Sequence, residues 1–522
     1  MMRVFFAVFF TLLAVAAFAQ FHDEELGDSA IAHRYAAWVA KAIVAGQWEQ
    51  ARAGLGRASD FIDVSSDISY QMALVLSHDN ESRAQILAVL ANAIHTGLWS
   101  QYTEAQARFM QAGLFIAMRR YTEALDTLAV RRALVGDDAD SAMLRLEALK
   151  GLAMTGQRLS GVQTGVEANL PLPAEFRHRI LETMDRYPRD TRPLRILFDY
   201  ARWREPSADD IPLIELALRR LPFVLESDPG LAWMAAYFTP DMDDARRLVA
   251  SYRSGTLLAQ AGGFLPNPAS IAPALNLGLV DDIDAVDELF LRDTLDRDII
   301  VTVGDLLRSE DGRDYLAQQL HAFTGTITED EDRDGIPENR AVYRQGVLTE
   351  YHSDFDQDRI ADLSVWFDFG RPQRAELAGM AAAGEIIVPA LIHWERHPFV
   401  LNIALGHETF HFAPGSFPFP LITYEDLCAT DTYNGLLFPR ADPLSPGITR
   451  RMLTSFAAAI HRPSTEFEGG IEYIQLERGI PVRAEVTLGD MIVAITEYEN
   501  GIPVLRRFDL DLDGHMEIMS ND

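Results

Sequence analysis

The chain has 522 residues, 48% hydrophobic and 24% charged, an ordinary globular make-up with room for about two to four domains. Its formal charge of −31 argues against nucleic acid and anionic membrane surfaces as main partners, since both would repel it. The same charge suits cations or basic partners, and it keeps a protein soluble.

Met1-Met2-Arg3 gives a short positive start, Val4 to Phe18 is a compact apolar run, and Ala17-Phe18-Ala19 supplies small residues at the expected peptidase cut. The spacing predicts a signal peptide over 1–19 with cleavage after Ala19, and a protein exported to a periplasmic or extracellular location. The apolar run is shorter than the roughly 18 to 20 residues that span a bilayer, and no later segment reaches that length. Cys428 is the one cysteine, so no internal disulfide is available. Its acidic setting, YEDLCATD, raises a thiol pKa and points to an inert residue.

From 28 to 255 apolar residues recur at three- and four-residue spacing between short turns. Ile31, Tyr35, Trp38, Val39, Ala42 and Ile43 make one such stripe, and a second helix follows from Trp48 through Ala51 and Leu55. A second pair reads through Ala112, Phe115, Tyr121, Ala124, Leu125 and Leu128. Ala84 lies 33 residues after Ala51 and 40 before Ala124, which suggests a repeat of helix pairs in the mid-thirties.

On these residues the chain resembles the tetratricopeptide repeat (TPR) family. Ala51 and Ala124 match the small residue of the second helix, and Trp48 and Tyr121 the aromatic before it; Ala112 and Phe115 match the first helix. Gln111 stands where leucine is usual, and no proline closes either unit. The resemblance implies a superhelix whose groove binds a protein or peptide partner; the alternative is a stack that only supports the second half. Helix pairs that cannot bury their faces alone would stack in this way.

The stretch 256–325, opening on Pro266, Pro268 and Pro273, reads as a helical junction, with helices over Asp281 to Leu291 and Gly304 to His321. From 326 to 522 short β-branched and aromatic runs form a repeated unit of strand, glycine turn and strand. The turns fall at Gly346 and Gly370, 24 apart, and at Gly479 and Gly501, 22 apart, and one helix is expected over Leu453 to His461. The fold class expected is therefore α+β and multidomain: an N-terminal α-helical repeat solenoid, then a C-terminal antiparallel β-hairpin meander.

Three acidic loops punctuate the β half. The first has Asp330, Asp332, Asp334, Gly335 and Glu338, the second Asp354, Asp356, Asp358 and Asp362, the third Asp509, Asp511, Asp513, Gly514 and Glu517. Alternating aspartates in a tight turn aim carboxylates at one point, and oxygen is what Ca²⁺ prefers. A glycine at the sixth position permits the positive φ that wraps the loop; the second loop has Arg359 there, which marks it as the weaker site. These loops are similar to the calcium loops of FG-GAP repeats and differ from EF-hands, whose twelfth-position glutamate is replaced by Ala341, Val365 and Ser520. The expected cofactor is structural Ca²⁺, with no catalytic residues.

His407-Glu408-Thr409-Phe410-His411 matches H-E-x-x-H, which on a helix binds Zn²⁺ through both histidines. Phe399, Leu401, Ile403 and Leu405 alternate at period two before it, so a strand is expected, with the histidines roughly 13 Å apart. Glu425 is the best third ligand that a metallopeptidase would have. The reading is a non-enzymatic scaffold. The alternatives are a zinc peptidase and a glycan- or peptide-binding β module with an aromatic groove near Trp366 or Trp394.

Overall fold

The computed structural model describes residues 28–164, 174–202, 206–260, 265–331, 333–378, 381–382, 385–386, 389–441, 450–509, 512 and 515–519. The expected signal peptide lies outside these residues, as do Asp332, Asp511 and Asp513. Two compact units result: Met1–Phe238 with Asp356–Arg359, and Thr239–Phe355 with Ile360–Asp522.

The first unit is helical: α1 (Asp28–Val44), α2 (Trp48–Ala58), α3 (Ser66–His78), α4 (Arg83–Thr96), α5 (Glu104–Ala117), α6 (Tyr121–Val135), α7 (Ala139–Thr164), α8 (Ala174–Arg186), α9 (Arg192–Ala201), α10 (Ile211–Arg220) and α11 (Leu231–Ala236). Helices α1 and α2, α3 and α4, and α5 and α6 pack as consecutive antiparallel pairs. Their first helices start at Asp28, Ser66 and Glu104, two steps of 38 residues.

Local chemistry sets the ends. Gly97 closes α4 at φ 68°, and a reciprocal Thr103–Gln106 capping box opens α5. Gly54 leaves room for Trp38 and Val39 of α1 to lie against α2. Ala51 and Ala124 are fully buried in second helices, as the repeat pattern requires.

The middle pair corrects one alignment. Ala84 is exposed, and the residue three after the helix start, which is Ala51 in α2 and Ala124 in α6, is buried Ile86 in α4. The aromatic position of Trp48 and Tyr121 is taken by Arg83, whose buried guanidinium donates to the carbonyls of Ala117 and Gln357. Asp67 of α3, also buried, accepts from Ser100 N and Oγ, Gln101 N and Tyr102 N, tying the α4–α5 loop to the preceding pair.

The second unit begins with α12 (Met242–Gln260), α13 (Ile271–Asn276), α14 (Asp282–Leu289), β1 (Thr294–Asp296), α15 (Arg297–Leu306) and α16 (Glu310–Ala322). The strands that follow are β2 (Gly325–Glu329), β3 (Asn339–Arg344), β4 (Val347–Ser353), β5 (Leu363–Asp368), β6 (Arg371–Leu377), β7 (Ala381–Ala382), β8 (Glu385–Ile386), β9 (Ala390–Arg396), β10 (Phe399–Leu405), β11 (Glu408–His411), β12 (Ile422–Leu427) and β13 (Leu436–Ala441). Helix α17 (Arg450–Phe456) leads to β14 (Ala459–Pro463), β15 (Ile471–Glu477), β16 (Ile480–Leu488), β17 (Met491–Glu499), β18 (Ile502–Phe508) and β19 (Glu517–Met519). The helix expected over Leu453 to His461 thus ends at Phe456, and its last residues enter β14.

Fifteen of these strands form one sheet in the order β1-β2-β3-β4-β5-β6-β9-β10-β11-β14-β15-β16-β17-β18-β19. Among the described residues β1–β2 is a parallel pair and the other strand pairs are antiparallel. A single cross-strand row runs Ile327, Ala341, Tyr351, Val365, Ala375, Ile392, Ile403, Phe410, Ile460, Ile474 and Ala484, all buried. Val286, Leu289, Ile300, Val303, Leu316 and Leu320 of α14–α16 share the core with that row. The stretch read as a junction is therefore built into the second unit's core.

The glycine turns are two-residue hairpins with positive φ at both positions: Gln345-Gly346, Phe369-Gly370, Arg478-Gly479 and Asn500-Gly501. Gly346 also donates its N–H to Phe323 O, and a Cβ there would overlap the His321 carbonyl oxygen. Gly346→Ala should therefore cost at least about 2 kcal/mol in the second unit, read as a lower urea midpoint. Gly370→Ala, which meets open space apart from a Val347 methyl, should cost less; equal losses would remove the steric account.

Candidate functional site

The acidic loops join strands at the sheet end opposite the glycine turns: 330–338 between β2 and β3, 354–362 between β4 and β5, and 509–516 between β18 and β19. Register stacks the first two, because Asp354 N donates to Glu338 O. The two are built alike. Glu338 accepts from Glu331 N at 2.6 Å, and Asp362 accepts from Phe355 N at 2.7 Å. In each, the fourth and sixth residues are left-handed: Arg333 and Gly335 at 62° and 97°, Gln357 and Arg359 at 55° and 76°. Arg359 thus takes the glycine conformation at the strain expected of it. Leu512 repeats the fourth position of the third loop at 59°.

In the second loop Asp354, Asp356 and Asp362 bring one carboxylate oxygen each within 4.8 Å of one another. Two oxygens on one Ca²⁺ sit at most about 5 Å apart, so this donor set fits a hard cation. Asp358, expected with them, instead accepts from Ser82 Oγ at 3.2 Å, and its backbone carbonyl accepts from Arg83 N. In the first loop Asp330 accepts from Asp334 N and Gly335 N, and Asp334 from Ile336 N. In the third loop Asp509 is buried and Glu517 starts β19.

An ionic network centred on buried Glu329, without a motif to announce it in the sequence, adjoins the first loop. Glu329 accepts from Asn339 Nδ2 at 3.0 Å and from Arg440 at 2.9 Å, and it faces Arg297 at 3.5 Å. Burial raises its carboxyl pKa, with Arg440 and Arg297 pulling the other way. Glu425 is held by Arg297 and Arg440, both at 2.7 Å, so the third zinc ligand considered above serves this network.

The H-E-x-x-H residues form a turn and a strand, as the alternation predicted. His407 is in the β10–β11 turn, and Glu408–His411 is β11. Glu408 accepts twice from Arg450, at 2.6 and 2.8 Å, and these bonds hold its carboxyl below the usual range against the opposing effect of burial. Trp394 is buried and donates to Phe419 O. Trp366 lies half-buried on the other face, with Arg374 4.0 Å above its ring. Burial pushes the Cys428 thiol up, Asp305 adds to this and Arg313 opposes it.

In the first unit, α7 and α8 border a shallow recess lined by Asp137, Arg145, Arg179, Glu182, Arg186 and Tyr187 among others. Asp137 accepts twice from Arg145 and faces Arg186 at 3.5 Å. No helix among the described residues is long and apolar enough to cross a membrane.

No known family model matches the chain. It is 22% identical to an uncharacterized protein of Treponema pallidum (strain Nichols), over 95% of this chain and 73% of that one. A similar solved structure is that of PilF from Pseudomonas aeruginosa, 15% identical, covering 50% of this chain and 89% of that one, with a TM-score of 0.25.

Proposed function

We propose that this is an exported, non-enzymatic scaffold whose helical unit binds a protein partner and whose β unit is stabilised by Ca²⁺. The observation that carries the reading is the run of helix pairs at a 38-residue step, each burying one face against its neighbours. Val130 and Leu134, one turn apart on α6, stay exposed, as does Trp38 on α1. They offer apolar anchors for a partner. Export rests on the basic start, apolar run and Ala17-Phe18-Ala19 of the sequence. Calcium rests on the Asp354–Asp356–Asp362 donor set.

A photo-crosslinking residue at Leu134, in the chain's native cells, should give a discrete protein adduct. The chain should be found outside the cytoplasm and begin after Ala19. Adducts from Trp366 but none from Leu134 would favour the β unit as the ligand-binding part. A cytoplasmic chain retaining residues 1–19 would overturn export.

A further inference from the structure

The outward face of the sheet carries imidazoles that the proposed scaffold does not use. Asn402 lies opposite both His393 and His411 in register, and His461 lies opposite Thr409 on one side and Tyr473 on the other. Each is next in sequence to a residue of the core row: Ile392, Ile403, Phe410, Ile460 or Ile474. Strand alternation therefore turns His393, Asn402, His411, His461 and Tyr473 away from the core. His411 Nε2 and His461 Nδ1 are 3.2 Å apart, with ring centroids at 4.6 Å and planes at 66°. The Tyr473 ring lies 4.6 Å from His461.

We propose that His411 and His461 form a two-histidine site for a borderline divalent cation such as Zn²⁺. Two nitrogens bound tetrahedrally to Zn²⁺ at 2.0–2.1 Å sit about 3.3 Å apart, which is the separation already present. The contact now accommodates one N–H between the rings. On metal binding that proton moves to the far nitrogen of its own ring, so both near nitrogens offer lone pairs and the imidazoles stay neutral.

On this face the carboxylate across from Tyr473, Glu485, is engaged by Arg483, so nitrogen is the donor on offer. That selects a borderline cation over Ca²⁺ and Mg²⁺. Both residues are half-buried, so water reaches the site and fills the remaining positions. His411 is the last residue of the H-E-x-x-H match, yet its partner lies 50 residues along the chain on β14 rather than four residues back.

Zn²⁺ titrated calorimetrically into the full chain in excess Ca²⁺, which fills hard-cation carboxylate sites, should show one saturable equivalent. His411→Gln and His461→Gln should each weaken it at least about tenfold, while His407→Gln leaves it unchanged. A wild-type chain that binds no Zn²⁺, or glutamine variants that melt normally and bind as tightly, would overturn the site. Should a variant misfold, the wild-type Cu²⁺ complex still decides: its electron paramagnetic resonance spectrum should carry coupling to two nitrogens, and an oxygen-only spectrum rejects the proposal.

Discussion

Phe410→Ala should destabilise the second unit by about 3–5 kcal/mol, the usual range for emptying a fully buried phenylalanine site. Phe410 is 0% exposed and sits within the cross-strand row, between Ile403 of β10 and Ile460 of β14. Sheet neighbours on both sides are fixed by backbone hydrogen bonds, so the cavity has little freedom to collapse. Urea unfolding followed on the second unit's transition should show a lower midpoint at an unchanged slope. Thr409, next in the chain and on the opposite face, gives the control: Thr409→Ala should cost less than about 1 kcal/mol. A Phe410 loss as small as that would mean that this segment does not lie as a strand against the core.

Ca²⁺ should raise the chain's unfolding midpoint, by about 2.7 kcal/mol of stability at a hundred times its dissociation constant. Three carboxylate oxygens within 4.8 Å repel one another when no cation lies between them. Asp356→Asn should therefore change sign with conditions. With chelator it should leave the midpoint equal to wild type or higher, because one repelling charge is gone. With Ca²⁺ it should fall below wild type, because a ligand is gone. Melting of wild type that is the same in Ca²⁺ and in chelator would end the calcium proposal. Loss of the effect in an Asp330 variant but not in Asp356→Asn would move it to the first loop.

Periodicity made the two halves legible. Three- and four-residue spacing marked the helices, and alternation with Gln345-Gly346, Phe369-Gly370, Arg478-Gly479 and Asn500-Gly501 marked the hairpins, because these signals are local. What escaped was non-local. Arg83 stands at an aromatic position of the repeat and is satisfied by the carbonyls of Ala117 and Gln357, so the local pattern points to Ala84 instead of Ile86. Strand β1 pairs in parallel with β2 across two intervening helices, and nothing near Thr294 announces it. Lack of a glycine marks the second loop as the weaker site in sequence, yet Arg359 takes the left-handed conformation and three of the loop's four aspartates converge. His461 had no motif to connect it to His411; only sheet register does that.

The strand order has a consequence for how the second unit assembles. From β2 to β6 and from β14 to β19 each strand lies beside its predecessor in the chain, so most closures span only a short loop. The entropy lost per added hairpin is small, and a β structure of this size escapes the slow search that distant strand pairing imposes. Growth can start from a hairpin and proceed along the row, with α14–α16 settling over its first strands. Beyond Ala484 the row runs out of buried apolar side chains, and Ile502 and Val504 of β18 face solvent. That edge is therefore the last to order and the first to fray.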